Sequence, residues 1–136
     1  MKKLSTLALL SVLTTTSALA SVVVIGHPAG VDNLNAEMLE RLYMGKTAQV
    51  NGATMKLFEL KEGASERAAF HRSTTGRNDA QLQSNWSRLV FTGKAEAPTI
   101  KNDDAAMIDA IASTPNAIGY VNESAVTPAV KVLLKL

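Results

Sequence analysis

The sequence predicts an α/β domain in which helices flank a partly parallel sheet. Three observations carry that reading. Val22-Val23-Val24-Ile25 is an uninterrupted β-branched run closed by Gly26 and Pro28, as expected of a strand buried on both faces. Two segments, one opened by Asn35 and one over residues 79–92, repeat apolar residues at helical spacing. Strand and helix patterns then follow in the order β-α-β-α-α-α-β-β, the alternation of a layered α/β structure.

Each element has a local cause. Asn35 is placed to cap a helix running to about Met44, with Met38, Leu39, Leu42 and Tyr43 on one side and Gly45-Lys46 closing it. Residues 55–60 alternate Met55, Leu57 and Glu59 against Lys56, Phe58 and Leu60, a second strand. Lys61-Glu62-Gly63-Ala64 turns the chain, and Ser65 is placed to cap a short helix through Ala68, Ala69 and Phe70. A turn over residues 74–78 precedes the longer helix of residues 79–92. Its stripe is Leu82, Trp86, Leu89 and Val90, and Gly93-Lys94 ends it with a left-handed cap and a cation at the dipole's negative end. Beyond a loop with Pro98, Asp103 opens a helix through Met107, Ile108 and Ile111 that stops before Pro115. Residues 117–121 and 130–136 are the last two strands.

The chain has 136 residues. Residues 1–20 read as a secretory signal: Lys2-Lys3, an apolar stretch from Leu4, and a small-residue end at Ala18-Leu19-Ala20. Cleavage after Ala20 and a periplasmic location are the expectation, leaving residues 21–136 as a single domain large enough for its own core. The apolar stretch is too short to span a bilayer core of about 30 Å. There is no cysteine, which excludes a disulfide framework, a thiolate nucleophile and a Cys-ligated metal centre. The formal charge of +2 comes from 14 basic and 12 acidic residues, and without Lys2 and Lys3 the balance is even. No Lys/Arg stripe remains, so nucleic acid is not an expected partner.

His27 and His71 have no Cys or paired carboxylate at ligand spacing, so neither a metal nor another cofactor is expected. Asp103-Asp104 are adjacent on a helix start, where acids are favoured by the dipole and do not share a face. No nucleophile, base and orienting group can be assembled, so an enzyme is not expected. On a parallel sheet ligands lie beyond the C-terminal strand ends, which directs attention to His27, residues 61–67 and Asn122. Residues 61–67 are the most informative. Gly63 and Ala64 make a small-residue turn into a helix whose first amides are free to bind an anion, Ser65 can add its hydroxyl, and Arg67 can add a guanidinium fork. The bland alternative is that Ser65 only caps the helix and Arg67 only pairs with Glu62 or Glu66.

Taken together, Leu42-Tyr43-Met44-Gly45-Lys46, residues 62–70, Trp86 to Gly93 with Pro98, and Pro115-Asn116-Ala117-Ile118-Gly119-Tyr120-Val121 resemble the phosphate-type solute-binding proteins of ABC importers. The resemblance spans about residues 22–135. It implies one lobe of a type II periplasmic-binding-protein-like fold, with a mixed, mostly parallel sheet flanked by helices. It also implies a phosphate held in a cleft by a Ser-Gly-Thr turn, helix N-terminal amides and an Arg. The matching positions are Ala64-Ser65-Glu66-Arg67: Arg67 and Phe70 are kept, while Ala64 and Glu66 replace the Ser and Thr.

The candidate ligand-binding residues are therefore Gly63, Ala64, Ser65, Arg67 and His27, and the expected ligand is a small oxyanion, phosphate the first candidate. One lobe supplies one wall of a cleft, so the expected partners are an ABC permease, a second-lobe protein or a second copy of the chain. The alternative is a protein–protein adaptor that keeps the lobe's fold without its ligand.

Overall fold

The computed structural model describes residues 21–136, so the signal expected over residues 1–20 lies outside the described residues. The elements follow in the order β1 (Val22–Gly26), α1 (Ala36–Tyr43), β2 (Gln49–Val50), β3 (Ala53–Thr54), β4 (Lys56–Leu60), α2 (Ser65–Ser73), α3 (Asp79–Phe91), β5 (Thr99–Lys101), α4 (Asp104–Ala112), β6 (Ala117–Asn122), a 3-10 turn (Glu123–Ala125) and β7 (Lys131–Lys135). Five strands form the main sheet in the order β5-β4-β6-β1-β7. β4 pairs in parallel with β5 and β6, whereas β1 pairs antiparallel with both β6 and β7. Four strands therefore point one way and only β1 runs against them, the mixed, mostly parallel sheet expected.

The β-branched run does what its composition demands. Every residue of β1 is buried, because β6 and β7 flank it and helices cover the sheet. Leu39, Leu42 and Tyr43 of α1, Phe70 of α2, and Met107, Ile108 and Ile111 of α4 complete the core. Asn35 caps α1 by accepting the Met38 N–H at 2.8 Å, and Asp103 caps α4 by accepting the Ala106 N–H at 2.8 Å, as the sequence predicts.

Three features depart from expectation. β2 and β3 form a short hairpin through Asn51 (φ 50°) and Gly52 (φ 82°), the dipeptide such a turn demands. β5 is a three-residue edge strand where a loop was expected. Val90, placed on the buried stripe of α3, is half exposed, and the buried residues of that helix are Leu82, Trp86 and Leu89. They pack against the end of α1 so closely that a Cβ on Gly45 would lie 2.5 Å from Leu89 Cδ1 and 3.1 Å from the Trp86 ring. Asn85 ties the same junction by donating Nδ2–H to Met44 O at 3.0 Å.

The β4–β6 ladder is short, joining Lys56 to Ala117 and Leu57 to Ile118. Beyond it, two buried phenols take over the backbone groups. Tyr43 donates to Phe58 O at 2.9 Å, and Tyr120 accepts the Leu60 N–H at 3.2 Å. Phe58, Glu59 and Leu60 are consequently all buried, and the alternation read over residues 55–60 does not separate a wet face from a dry one.

Candidate functional site

Because β4, β5 and β6 are parallel, their C-terminal ends share one edge of the sheet, and α2 and α4 start there. The Lys61 N–H donates to Lys101 O at 3.0 Å, joining the ends of β4 and β5. The Asn122 N–H reaches Asp104 Oδ2 at 3.4 Å, joining the end of β6 to the start of α4. Arg67 in α2 meets Asp79 at the start of α3. Three helix N-termini thus converge on one edge, each presenting partial positive charge.

The N-terminus of α2 differs from the others in its capping. Asn35 and Asp103 cap α1 and α4, and Asn78 caps α3 in a capping box with Gln81. At α2 the N-cap position is Ala64, whose side chain offers no acceptor, so the first-turn amides have no side-chain cap. Ser65 is therefore a correction: it is the first helical residue rather than the cap, and its hydroxyl donates to Glu66 Oε2 at 3.2 Å. Gly63 and Ala64 form the expected turn, closed by the Ala64 N–H on Lys61 O at 3.2 Å.

Arg67 does not project as a free fork. Its residue is 5 % exposed, and it donates Nε–H to Asp79 Oδ1 at 2.7 Å and Nη1–H to Leu60 O at 3.0 Å, with Glu59 Oε2 3.3 Å from Nη1. Burial works to lower its pKa, but the charges of Glu59 and Asp79 outweigh that and raise it above the ordinary value, so the guanidinium is permanently charged. Neither Glu62 nor Glu66 is among its partners.

Behind Arg67 lies a buried polar network. Glu59 contacts His71 Nε2 through Oε1, His71 Nδ1 lies 2.8 Å from Thr75 Oγ1, and the Tyr120 hydroxyl is 3.4 Å from Glu59 Oε1. Burial, reinforced by the Glu59 charge, raises the pKa of Tyr43 and of Tyr120, so both phenols stay protonated donors. The network spans the opened β4–β6 seam and braces the start of α2.

His27 is the second correction. It follows β1, and β1 runs against its neighbours, so Gly26 pairs with Ile118 near the start of β6 and His27 lies at the opposite edge from Gly63, Ala64, Ser65 and Arg67. Its Nδ1 accepts the Ala29 N–H at 3.0 Å, closing a turn. Asn122 is on the α2 edge, where its side chain caps the 3-10 turn by accepting from Ser124 N–H and O–H. Asp104 is there as well; burial, together with the charge of Glu66, raises its pKa despite the Asn122 N–H, which works the other way. Among the described residues no three His, Cys, Asp or Glu side chains are grouped as metal ligands.

Glu59, His71, Asp79 and Asp104 were not foreseen as parts of this region. The sequence held a signal for Glu59 alone, which shares the alternation of Met55 and Leu57 on its strand, but only the tertiary pairing with Arg67 and His71 shows why a carboxylate is tolerated there.

No protein-family model matches the chain, and no curated protein matches it in sequence. Solved structures do match in three dimensions. A protein assigned as a phosphate ABC transporter substrate-binding protein from Clostridium perfringens, solved with bound phosphate, superposes with a TM-score of 0.64 at 21% identity over 83% of this chain. An ABC-type phosphate transport receptor from Vibrio cholerae gives 0.65 at 18%, and PstS from Borrelia burgdorferi 0.57 at 13%, each again over 83% of this chain. The matched region is 44%, 45% and 46% of those chains, so the protein spans under half the length of the structures it matches. The fold of residues 21–136 is that of one lobe of the phosphate-type substrate-binding proteins of ABC importers.

Proposed function

We propose that the chain is an exported binding module for a small oxyanion of the phosphate type, serving ABC import from the periplasm. The observation that carries this reading is the uncapped N-terminus of α2. In a fold otherwise capped at every α-helix, the amides that follow Gly63 and Ala64 are left for an anion at the edge where such sheets place their ligands. Gly63, Ala64 and Ser65 supply the turn, and Arg67 acts as a positioning residue that fixes α2 on β4 and α3. Glu66 and Asp104 set a negative field beside the amides, and like charge weakens the binding of a dianion there. The described residues make one wall of such a site, and a second copy or a distinct partner such as a permease subunit is a candidate for the other.

Calorimetric titration of phosphate into the purified protein at low salt tests this. Affinity near the millimolar range, about −4 kcal/mol, is expected for a site open to water. Glu66→Thr is expected to tighten it about fivefold by removing a like charge. A second reading, an adaptor without ligand, is favoured by the full engagement of Arg67 with Glu59, Leu60 O and Asp79. Absence of heat in both proteins would put the adaptor first.

A further inference from the structure

The opposite edge of the sheet, where β4 begins and α1 and α3 end, holds a cavity of about 280 Å³. Its walls include two buried apolar side chains, Trp86 and Met55, each 8 % exposed. Three lysines, Lys46, Lys56 and Lys94, line it with a single acid, Glu96. The existing ion pairs are loose. Lys56 Nζ lies 3.5 Å from Glu96, whose side chain is 85% exposed, and Lys46 Nζ reaches Glu40 only at 3.9 Å. Lys94 has no ion pair among the described residues. Exposed pairs of this kind contribute little and exchange readily for a better acceptor.

Trp86 also carries a buried polar atom. Its indole N–H is buried and has no acceptor, the one such orphan among the buried side-chain polar atoms of the described residues. Unsatisfied buried donors are uncommon in folded interiors and call for a reason. Here the nitrogen is closed to solvent, so the ring walls the cavity through its carbon atoms and the cavity offers the N–H no acceptor.

We propose that this cavity binds a small organic monoacid, with its carboxylate among Lys46, Lys56 and Lys94 and a flat apolar body against Trp86 and Met55. The volume suits a single ring with its acid group, at the lower end of ligand pockets. A free inorganic oxyanion has no use for the apolar walls, and an amine meets the lysines as like charge. The site is separate from the α2 edge, and the proposal stands whether or not phosphate binds there.

The test uses benzoate as the probe and the ¹⁵N-labelled protein. Trp86 is the only tryptophan, so its indole N–H gives one resonance that reports on the cavity. Benzoate is expected to shift that resonance and the amides of residues 94–97 saturably, with a Kd at or below about 1 mM. Lys94→Glu, a change at an exposed position, is expected to weaken binding about fivefold or more while leaving the rest of the spectrum in place. Benzylamine, the same ring with the opposite charge, and inorganic phosphate are expected to leave the indole resonance where it is. No saturable shift by about 10 mM benzoate, an equal response to benzylamine, or unchanged benzoate affinity in Lys94→Glu would each overturn the proposal.

Discussion

Arg67 is expected to hold the fold together rather than to wait for a ligand, and Arg67→Met separates the two. The substitution keeps an apolar stem and deletes the cation. It leaves Glu59, whose side chain is 2% exposed, with His71 and Tyr120 but no permanent counter-charge. Removing one partner of a buried pair costs about 3–5 kcal/mol. Asp79 also loses its partner, but its side chain is 41% exposed and water replaces the guanidinium, adding less than about 1 kcal/mol. A total near 4 kcal/mol lowers Tm by about 15 °C in a domain of this size. Thermal unfolding followed by circular dichroism at pH 7 measures it. Glu59→Gln combined with Arg67→Met removes the stranded charge and is expected to recover at least half of the loss, a coupling that independent sites do not show. A single variant melting within about 3 °C of the parent, or a double variant no better than the single, would refute the argument and return Arg67 to the role of a free anion ligand.

Two further outcomes follow from the geometry. Gly45→Ala is expected to cost about 2 kcal/mol or more in urea unfolding, because φ is 70° and the new Cβ meets Leu89 and Trp86, whereas Gly93→Ala, with φ 69° and nothing within 4 Å, shows the backbone part alone, about 1 kcal/mol. For Asp104 the folded pKa lies above the ordinary 3.8, so the native state holds its proton more tightly and this group's contribution to stability falls as pH rises from 3.8 through the folded value. Asp104→Asn is therefore expected to melt above the parent at pH 7 and level with it at about pH 3, where both states are protonated. Equal Tm differences at the two pH values would contradict the assignment.

What could be read from the sequence was what is decided locally. The caps Asn35 and Asp103 act on amides three residues away, and the run over residues 22–25 is apolar whichever strands come to flank it. The hairpin at Asn51-Gly52 had its signal in plain view, but strands of two residues carry no periodicity. Longer-range choices were not legible. That β1 runs against its neighbours is settled by β6 and β7 near the other end of the chain, and this moves His27 to the wrong edge. The neighbouring sequence offers Arg67 only Glu62 and Glu66, whereas its partners are Glu59, across the turn on β4, and Asp79, on the next helix. Glu59 is buried because the β4–β6 ladder opens and phenols cover the gap, an event without a pattern in residues 55–60. Gly63, Ala64 and Ser65 were placed at the start of α2 by the turn itself, one residue out in the identity of the cap.

The central claim is that the uncapped start of α2 is the oxyanion site, and backbone amide shifts during a phosphate titration test it most directly. Phosphate is expected to move the amides of Ser65, Glu66 and Arg67 furthest and saturably, with little change at the capped starts of α1, α3 and α4. Shifts centred on another helix or on the lysine-lined cavity, or no saturable shift at all, would contradict it.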